Sequence, residues 1–144
     1  MRVIGIDPGL HTGIAVFHGG KLIELRTCTP MELLTDELEH AACFRPCRLV
    51  FEDSRLISNL YSGAGHNRGA LAKIARNVGE IDAYCRMLVE RCESLGIPAH
   101  SISPKDKGEK LNSDRFRALT GWATRCNQHE RDAAMVAWRF RNGK

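Results

Sequence analysis

The sequence predicts an α/β fold, a mixed β-sheet with helices on its faces, and three observations carry that expectation. Short apolar runs at Val3-Ile4-Gly5-Ile6 and Leu49-Val50-Phe51 have the length and continuity of buried strands. Glycine and proline punctuate the first thirty residues at hairpin intervals, through Pro8-Gly9 and Gly19-Gly20. From Ala70 to Leu95, Leu71, Ile74, Ala75, Val78, Ile81, Cys85, Leu88, Val89 and Cys92 recur at helical spacing.

Taken in order, residues 2 to 7 read as a first strand. Pro8-Gly9 and Gly13 then reverse the chain into a second, Ile14 to Phe17, and His18-Gly19-Gly20-Lys21 leads to a third, Leu22 to Arg26. Thr29 before Pro30 is an N-cap with proline at the first helical position, and Met31, Leu33, Leu34 and Leu38 carry the helix toward Cys43. A fourth strand spans Arg48 to Asp53, followed by a polar, glycine-containing loop from Ser54 to Arg68. Gly96 ends the long helix, and Ile97 to Ile102 gives a fifth strand before the basic linker from Ser103 to Lys110. A short helix capped at Asn112 or Ser113 ends near Gly121, and a last helix runs from about Gln128 to Phe140. The order β-β-β-α-β-α-β-α-α implies a mixed sheet with helices on both faces.

The 144 residues suit one domain, 1–144, with a core that needs no disulfide or structural metal. No apolar run approaches a membrane span and no signal segment opens the chain, so a cytoplasmic protein is expected, in a bacterium or a phage-infected host. The six cysteines lack Cys-x-x-Cys spacing and read mostly as small core residues in a reducing compartment; a zinc site at Cys43 and Cys47 would need two further ligands. The net charge of +4 is unevenly placed. Residues 1 to 54 hold five Lys/Arg against eight Asp/Glu, residues 55 to 77 four against none, and residues 103 to 144 ten against five. Such a distribution suits a polyanionic partner, although scattered surface charge also serves solvation alone.

Three acids stand where apolar elements end. Asp7 closes the first strand, Glu52 the fourth, and Asp132 lies on the last helix with His129 one turn earlier. A carboxylate ending a buried strand is costly unless a cation meets it, and an oxygen-rich set with one histidine suits Mg²⁺ or Mn²⁺. Two such ions can activate a water and stabilise the leaving oxygen of a phosphodiester. Because successive strand residues face opposite sides, only one of Glu52 and Asp53 can share a face with Asp7.

The segment from Gly5 to Val16, with its strand ending in Asp7-Pro8-Gly9, resembles the first motif of the RuvC family of Holliday-junction resolvases. Leu49-Val50-Phe51-Glu52 resembles that family's fourth-strand glutamate, and His129-Glu130-Arg131-Asp132-Ala133-Ala134 its C-terminal motif. Lys73 through Gly79 resembles its long helix, which carries a glycine in mid-course. The similarity spans nearly the whole chain. It implies a ribonuclease H-like fold with a five-stranded mixed sheet, and it selects Glu52 over Asp53. It further implies a homodimeric, metal-dependent endonuclease that makes symmetric paired nicks in four-way or other branched DNA, with Asp7, Glu52, His129 and Asp132 holding two ions. Arg55 stands where the family often carries an aromatic that opens junction bases, while Tyr61 comes later. Arg68, Lys73, Lys105, Lys107 and Lys110 are the remaining candidates for nucleic-acid contact. Alternatives are a related nuclease acting on structured RNA or another DNA intermediate, a non-catalytic branched-DNA-binding module, and an actin-like nucleotide-binding domain, for which the chain is short. Gly79 costs the long helix roughly 1 kcal/mol relative to alanine, so either a partner helix or the chain's own sheet is expected to approach it closely.

Overall fold

The computed structural model describes residues 1–57 and 67–144. Strands β1 (Arg2–Asp7), β2 (Thr12–His18), β3 (Lys21–Cys28), β4 (Cys47–Glu52) and β5 (Ala99–Ile102) form a sheet in the order β3-β2-β1-β4-β5. The first three make an antiparallel meander, while β4 and β5 add in parallel beside β1. The five predicted strands are therefore all present, with boundaries displaced by one or two residues.

Helices lie on both faces. On one, α1 (Pro30–Glu32) begins with the predicted Thr29 cap, completed by Glu32 as a capping box, and passes through a π-helical turn, Leu33–Glu37, into α2 (Leu38–Ala42). The long helix α3 (Arg68–Leu95) packs beside it, and its left-handed Gly96 terminates it as the sequence predicts. On the opposite face lie α4 (Ser113–Thr120) and α5 (Gln128–Ala137), the latter closing in a 3₁₀ turn at Trp138–Phe140.

Strand alternation sorts the core into two halves. Ile4, Ile6, Leu49 and Phe51 face α3 with Leu33, Leu38, Cys85, Leu88 and Cys92. Val3 and Val50 face α5 with Phe17, Phe116, Ala133, Ala134 and Ala137. By the same alternation Asp7 and Glu52 emerge on the α5 side of the sheet's end. The parallel register, Gly5 beside Val50 and Ile6 beside Phe51, continues to set those two acids side by side.

Two glycines make room for α5. A Cβ on Gly5 would overlap the carbonyl oxygen of Ala133, and one on Gly13 would overlap that of His129. Neither glycine has the positive φ that a turn would require. Gly13, read from sequence as a reversal residue, sits within β2 opposite Asp7 and is there for space.

The first half of α3 leaves the sheet. Its buried residues are Tyr84, Cys85, Leu88 and Cys92, all in the second half, whereas Gly79 is exposed and a Cβ there would meet nothing among the described residues. Close packing of Gly79 on the chain's own sheet, one of the two expected reasons for it, is thereby excluded for the described residues. All six cysteines are free thiols, and Cys28, Cys47, Cys85 and Cys92 are buried, in keeping with core use. No helix among the described residues is long and apolar enough to cross a membrane.

Candidate active site at the carboxylate end of the sheet

Asp7 and Glu52 arrive at the site by strand parity, and α5 brings the rest. Asn127 caps α5 by accepting from the Glu130 backbone N–H, while the Glu130 side chain accepts from the Asn127 N–H. This fixed first turn presents His129 and, one turn later, the buried Asp132. His129 Nδ1 lies 3.6 Å from Asp7 Oδ2. Gln128 Nε2 donates to Asp132 Oδ1 at 2.8 Å, and Arg131 donates in turn to Gln128 Oε1 at 3.0 Å, so Asp132 is held by a neutral amide that is itself held. That support was not read from the sequence. The only local signal for it is the i, i+4 spacing of Gln128 and Asp132, which places them on one helix face.

The loop after β5 supplies a cation. Lys107 Nζ is 2.5 Å from Glu52 Oε2 and 3.7 Å from Asp7 Oδ1, with its side chain largely enclosed. The contact with Glu52 is a close ion pair, and the buried Glu52 Oε2 has no other partner among the described residues. Burial disfavours the charged ammonium, yet the hydrogen-bonding and charge of Glu52, then Asp7 and Asp132, outweigh it and hold Lys107 above its ordinary pKa. The Asp7 carboxyl is pushed up, first by burial and then by the neighbouring Glu52 and Asp132, against the opposing pull of Lys107 and His129. Lys105 and Lys110, read from sequence together with Lys107, stay exposed.

The donors match a hard divalent ion in kind, being carboxylate oxygens with one imidazole, and in charge, since they draw an ammonium among them. With Lys107 in place, no three histidine, cysteine or carboxylate side chains among the described residues close on one point tightly enough to hold an ion. An open cleft of about 370 Å³ lies against this cluster, with Asp7, His11 and His129 on one side and Asn77, Glu80 and Ile81 of α3 on the other. Its size suits a nucleotide unit.

Asp53 turns to the other face. It is 1% exposed and caps the 3₁₀ turn Ser54–Leu56, accepting from the Arg55 backbone N–H at 3.0 Å, from Arg55 Nε at 2.9 Å and from an Arg55 terminal nitrogen at 2.8 Å. Burial raises the Asp53 pKa, but the Arg55 hydrogen bonds and charge together carry it below the ordinary carboxylate value. Arg55 is thus the counter-ion of a buried acid. Removing it by Arg55→Ala is expected to cost about 2–4 kcal/mol in urea unfolding, and Asp53→Asn in the same chain to recover part of that loss. Any effect of Arg55→Ala on DNA binding has to be separated from this loss. Arg68 and Lys73 are exposed on the first turns of α3, and Tyr61 lies outside the described residues.

With this geometry established, the comparisons with known proteins are specific about architecture. A Thermus thermophilus RuvC structure superposes with a TM-score of 0.64 at 17% identity, covering 96% of this chain and 92% of that one. The T. thermophilus RuvC in complex with Holliday junction substrate superposes at 0.60 with 19% identity, covering 96% and 90%. This is the RuvC fold. The five-stranded mixed sheet with flanking helices is accordingly ribonuclease H-like, as the resemblance of the sequence motifs implies. No protein-family model matches the chain, and no curated protein sequence does.

Proposed function

We propose that the chain is a metal-dependent endonuclease that resolves four-way DNA junctions by paired nicks, working as a homodimer in the cytoplasm of a bacterial or phage-infected cell. The observation that carries this reading is the convergence of Asp7, Glu52, Asp132 and His129, from two strands and a distant helix, beside a drawn-in cation, with Asp7 and His129 on the wall of a nucleotide-sized cleft. Its support from comparison is that a RuvC of the same fold is in complex with a Holliday junction substrate.

Asp7, Glu52, Asp132 and His129 would hold Mg²⁺ or Mn²⁺, two ions per site, which when bound activate water and stabilise the leaving oxygen. For the donors to gather, Lys107 withdraws from Glu52 toward the cleft, where its ammonium meets a phosphate oxygen. Asp7 faces the imidazole at Nδ1, 3.6 Å away, so Nε2 is the nitrogen that would either ligate one ion or position the attacking water. Gln128 keeps Asp132 turned inward throughout. Arg68, Lys73, Lys105 and Lys110 hold backbone phosphates, which position the duplex arms without reading their sequence.

The test is cleavage of a mobile four-way junction, a linear duplex and an RNA–DNA hybrid, each with and without Mg²⁺. Symmetric nicks in the junction alone, and only with metal, are the expected result. Preferential cutting of the hybrid would replace this substrate with RNA.

The dimer follows from the substrate and from α3. A junction has approximate two-fold symmetry, and two identical sites related by a two-fold axis match its two nicks. A Cβ on Gly79 would meet nothing among the described residues, which supports a partner helix as the reason for a glycine there. Gly79→Leu is expected to fold with undiminished thermal stability, because it removes a helix-interior glycine, yet to sediment as a monomer and to lose paired nicking. A dimer that persists in this variant would move the interface elsewhere.

A further inference from the structure

Between α4 and the start of α5 lies a cleft of about 430 Å³ whose lining carries positive charge and no acid. Arg117, Arg125 and Arg131 line it together with Ser113, Trp122 and Asn127, and no carboxylate does. Four arginines elsewhere have acid partners, Arg26 with Glu24 and Glu37, Arg55 with Asp53, Arg91 with Glu39 and Arg115 with Glu109; what sets this cleft apart is that three arginines share one concavity with no acid in its lining. In this cleft Arg131 is bound only by neutral acceptors, the Leu111 and Cys126 carbonyls, Ser113 Oγ and Gln128 Oε1. Among the described residues Arg117 reaches the Ala123 carbonyl alone, at 3.5 Å. Glu130, the acid next to Arg131 in sequence, is engaged instead by the Asn127 N–H and the Thr27 hydroxyl.

The wall carries a further unmatched donor. Trp122 Nε1 is enclosed with no acceptor among the described residues. Fixed guanidinium groups, hydroxyl and amide donors and no acid are the chemistry that receives a phosphate. The position matters as much as the composition. Arg131 forms the cleft's inner wall and is joined to Asp132 through the single side chain of Gln128.

We propose that this cleft is a second phosphate site, which holds the nucleic-acid backbone away from the bond being cut and is linked to the acid cluster through Arg131, Gln128 and Asp132 on the first turns of α5. It rests on the nuclease reading for the identity of its ligand, whereas its charge argument does not depend on catalysis. Arg117 and Arg125 supply the free charge, Arg131 fixes the wall, and the indole of Trp122 lies against the strand.

The experiment is Arg117→Gln with Arg125→Gln, with binding of junction and duplex DNA followed by fluorescence anisotropy across a salt series without divalent ions. The salt dependence of the affinity is expected to flatten by about 1 to 2 in log–log slope, with weaker binding to both substrates, while circular dichroism stays that of the wild type. A thymidine oligonucleotide is expected to change the intrinsic tryptophan fluorescence of the wild type, and Trp122→Phe to abolish that change. An unchanged slope in the double variant overturns the site and leaves the acid-cluster reading intact. Saturation of the fluorescence change by inorganic phosphate alone, with no response to the oligonucleotide, also overturns it. If the wild type cuts no substrate at all, the nuclease reading fails, while the salt series still decides the cleft.

Discussion

Asp7→Asn is expected to reduce junction cleavage at least about a thousandfold while binding the junction as tightly as the wild type or more so. Among the described residues, Asp7 is the one acid in contact range of both the imidazole and the ammonium, so its loss disconnects His129 and removes a ligand shared by the whole cluster. The same substitution is expected to raise thermal stability in the absence of divalent ions. Burial, then Glu52 and Asp132, hold the Asp7 pKa above its ordinary value despite Lys107 and His129. The folded protein therefore binds that proton more tightly than the unfolded chain does. The corresponding stability is fully present below the unfolded carboxylate pKa and is lost as pH rises through the raised folded value. At neutral pH the ionised Asp7 is a net cost, which asparagine removes. Melting curves with and without Mg²⁺ separate the parts: the ion is expected to raise the melting temperature of the wild type and to raise that of Asp7→Asn much less. Wild-type turnover by Asp7→Asn would end the assignment of the site.

Gly13→Ala is expected to be nearly as damaging for a different reason. The added methyl group would meet the His129 carbonyl, a backbone atom inside the first turn of α5, so relief requires the helix to move. Because His129 and Asp132 ride on that turn, a displaced α5 loses the site as well as core contacts with β1 and β2. A destabilisation of about 3 kcal/mol or more in urea unfolding is expected, with cleavage lost even where the chain remains folded. Gly9→Ala is the matched control. Gly9 has ordinary space around it, a Cβ there approaching only the His11 carbonyl at 3.7 Å, so stability close to wild type is expected. Equal stability of Gly13→Ala and Gly9→Ala would mean that α5 does not need the close approach.

The strands, the long helix and the convergence of three acids were legible in the sequence because each follows from a local period. Alternation along β4 puts Glu52 and Asp53 on opposite faces, so only one can join Asp7, and the resemblance of Leu49-Val50-Phe51-Glu52 to the RuvC motif selects Glu52. The 3.6-residue period of the last helix places His129 and Asp132 on the stripe that packs inward. Capping residues mark the helix starts for the same reason, their partners being only three residues away.

Tertiary structure alone decided which partners those side chains found. Lys105, Lys107 and Lys110 share a linker with no period, so nothing local distinguishes the one that enters the acid cluster; closure of the loop after β5 selects Lys107. Arg55 follows an acid that alternation buries, but its commitment to Asp53 depends on the tight turn between them. Gly5 and Gly13 read as strand and turn residues until α5 is laid across them, because the contact that forbids a Cβ comes from over a hundred residues along the chain. The arginines of the α4–α5 cleft are likewise unremarkable in sequence, where Arg117 follows Asp114 and Arg131 stands between Glu130 and Asp132. Only the folded chain shows that those acids point elsewhere, since charge compensation is a matter of distance in space.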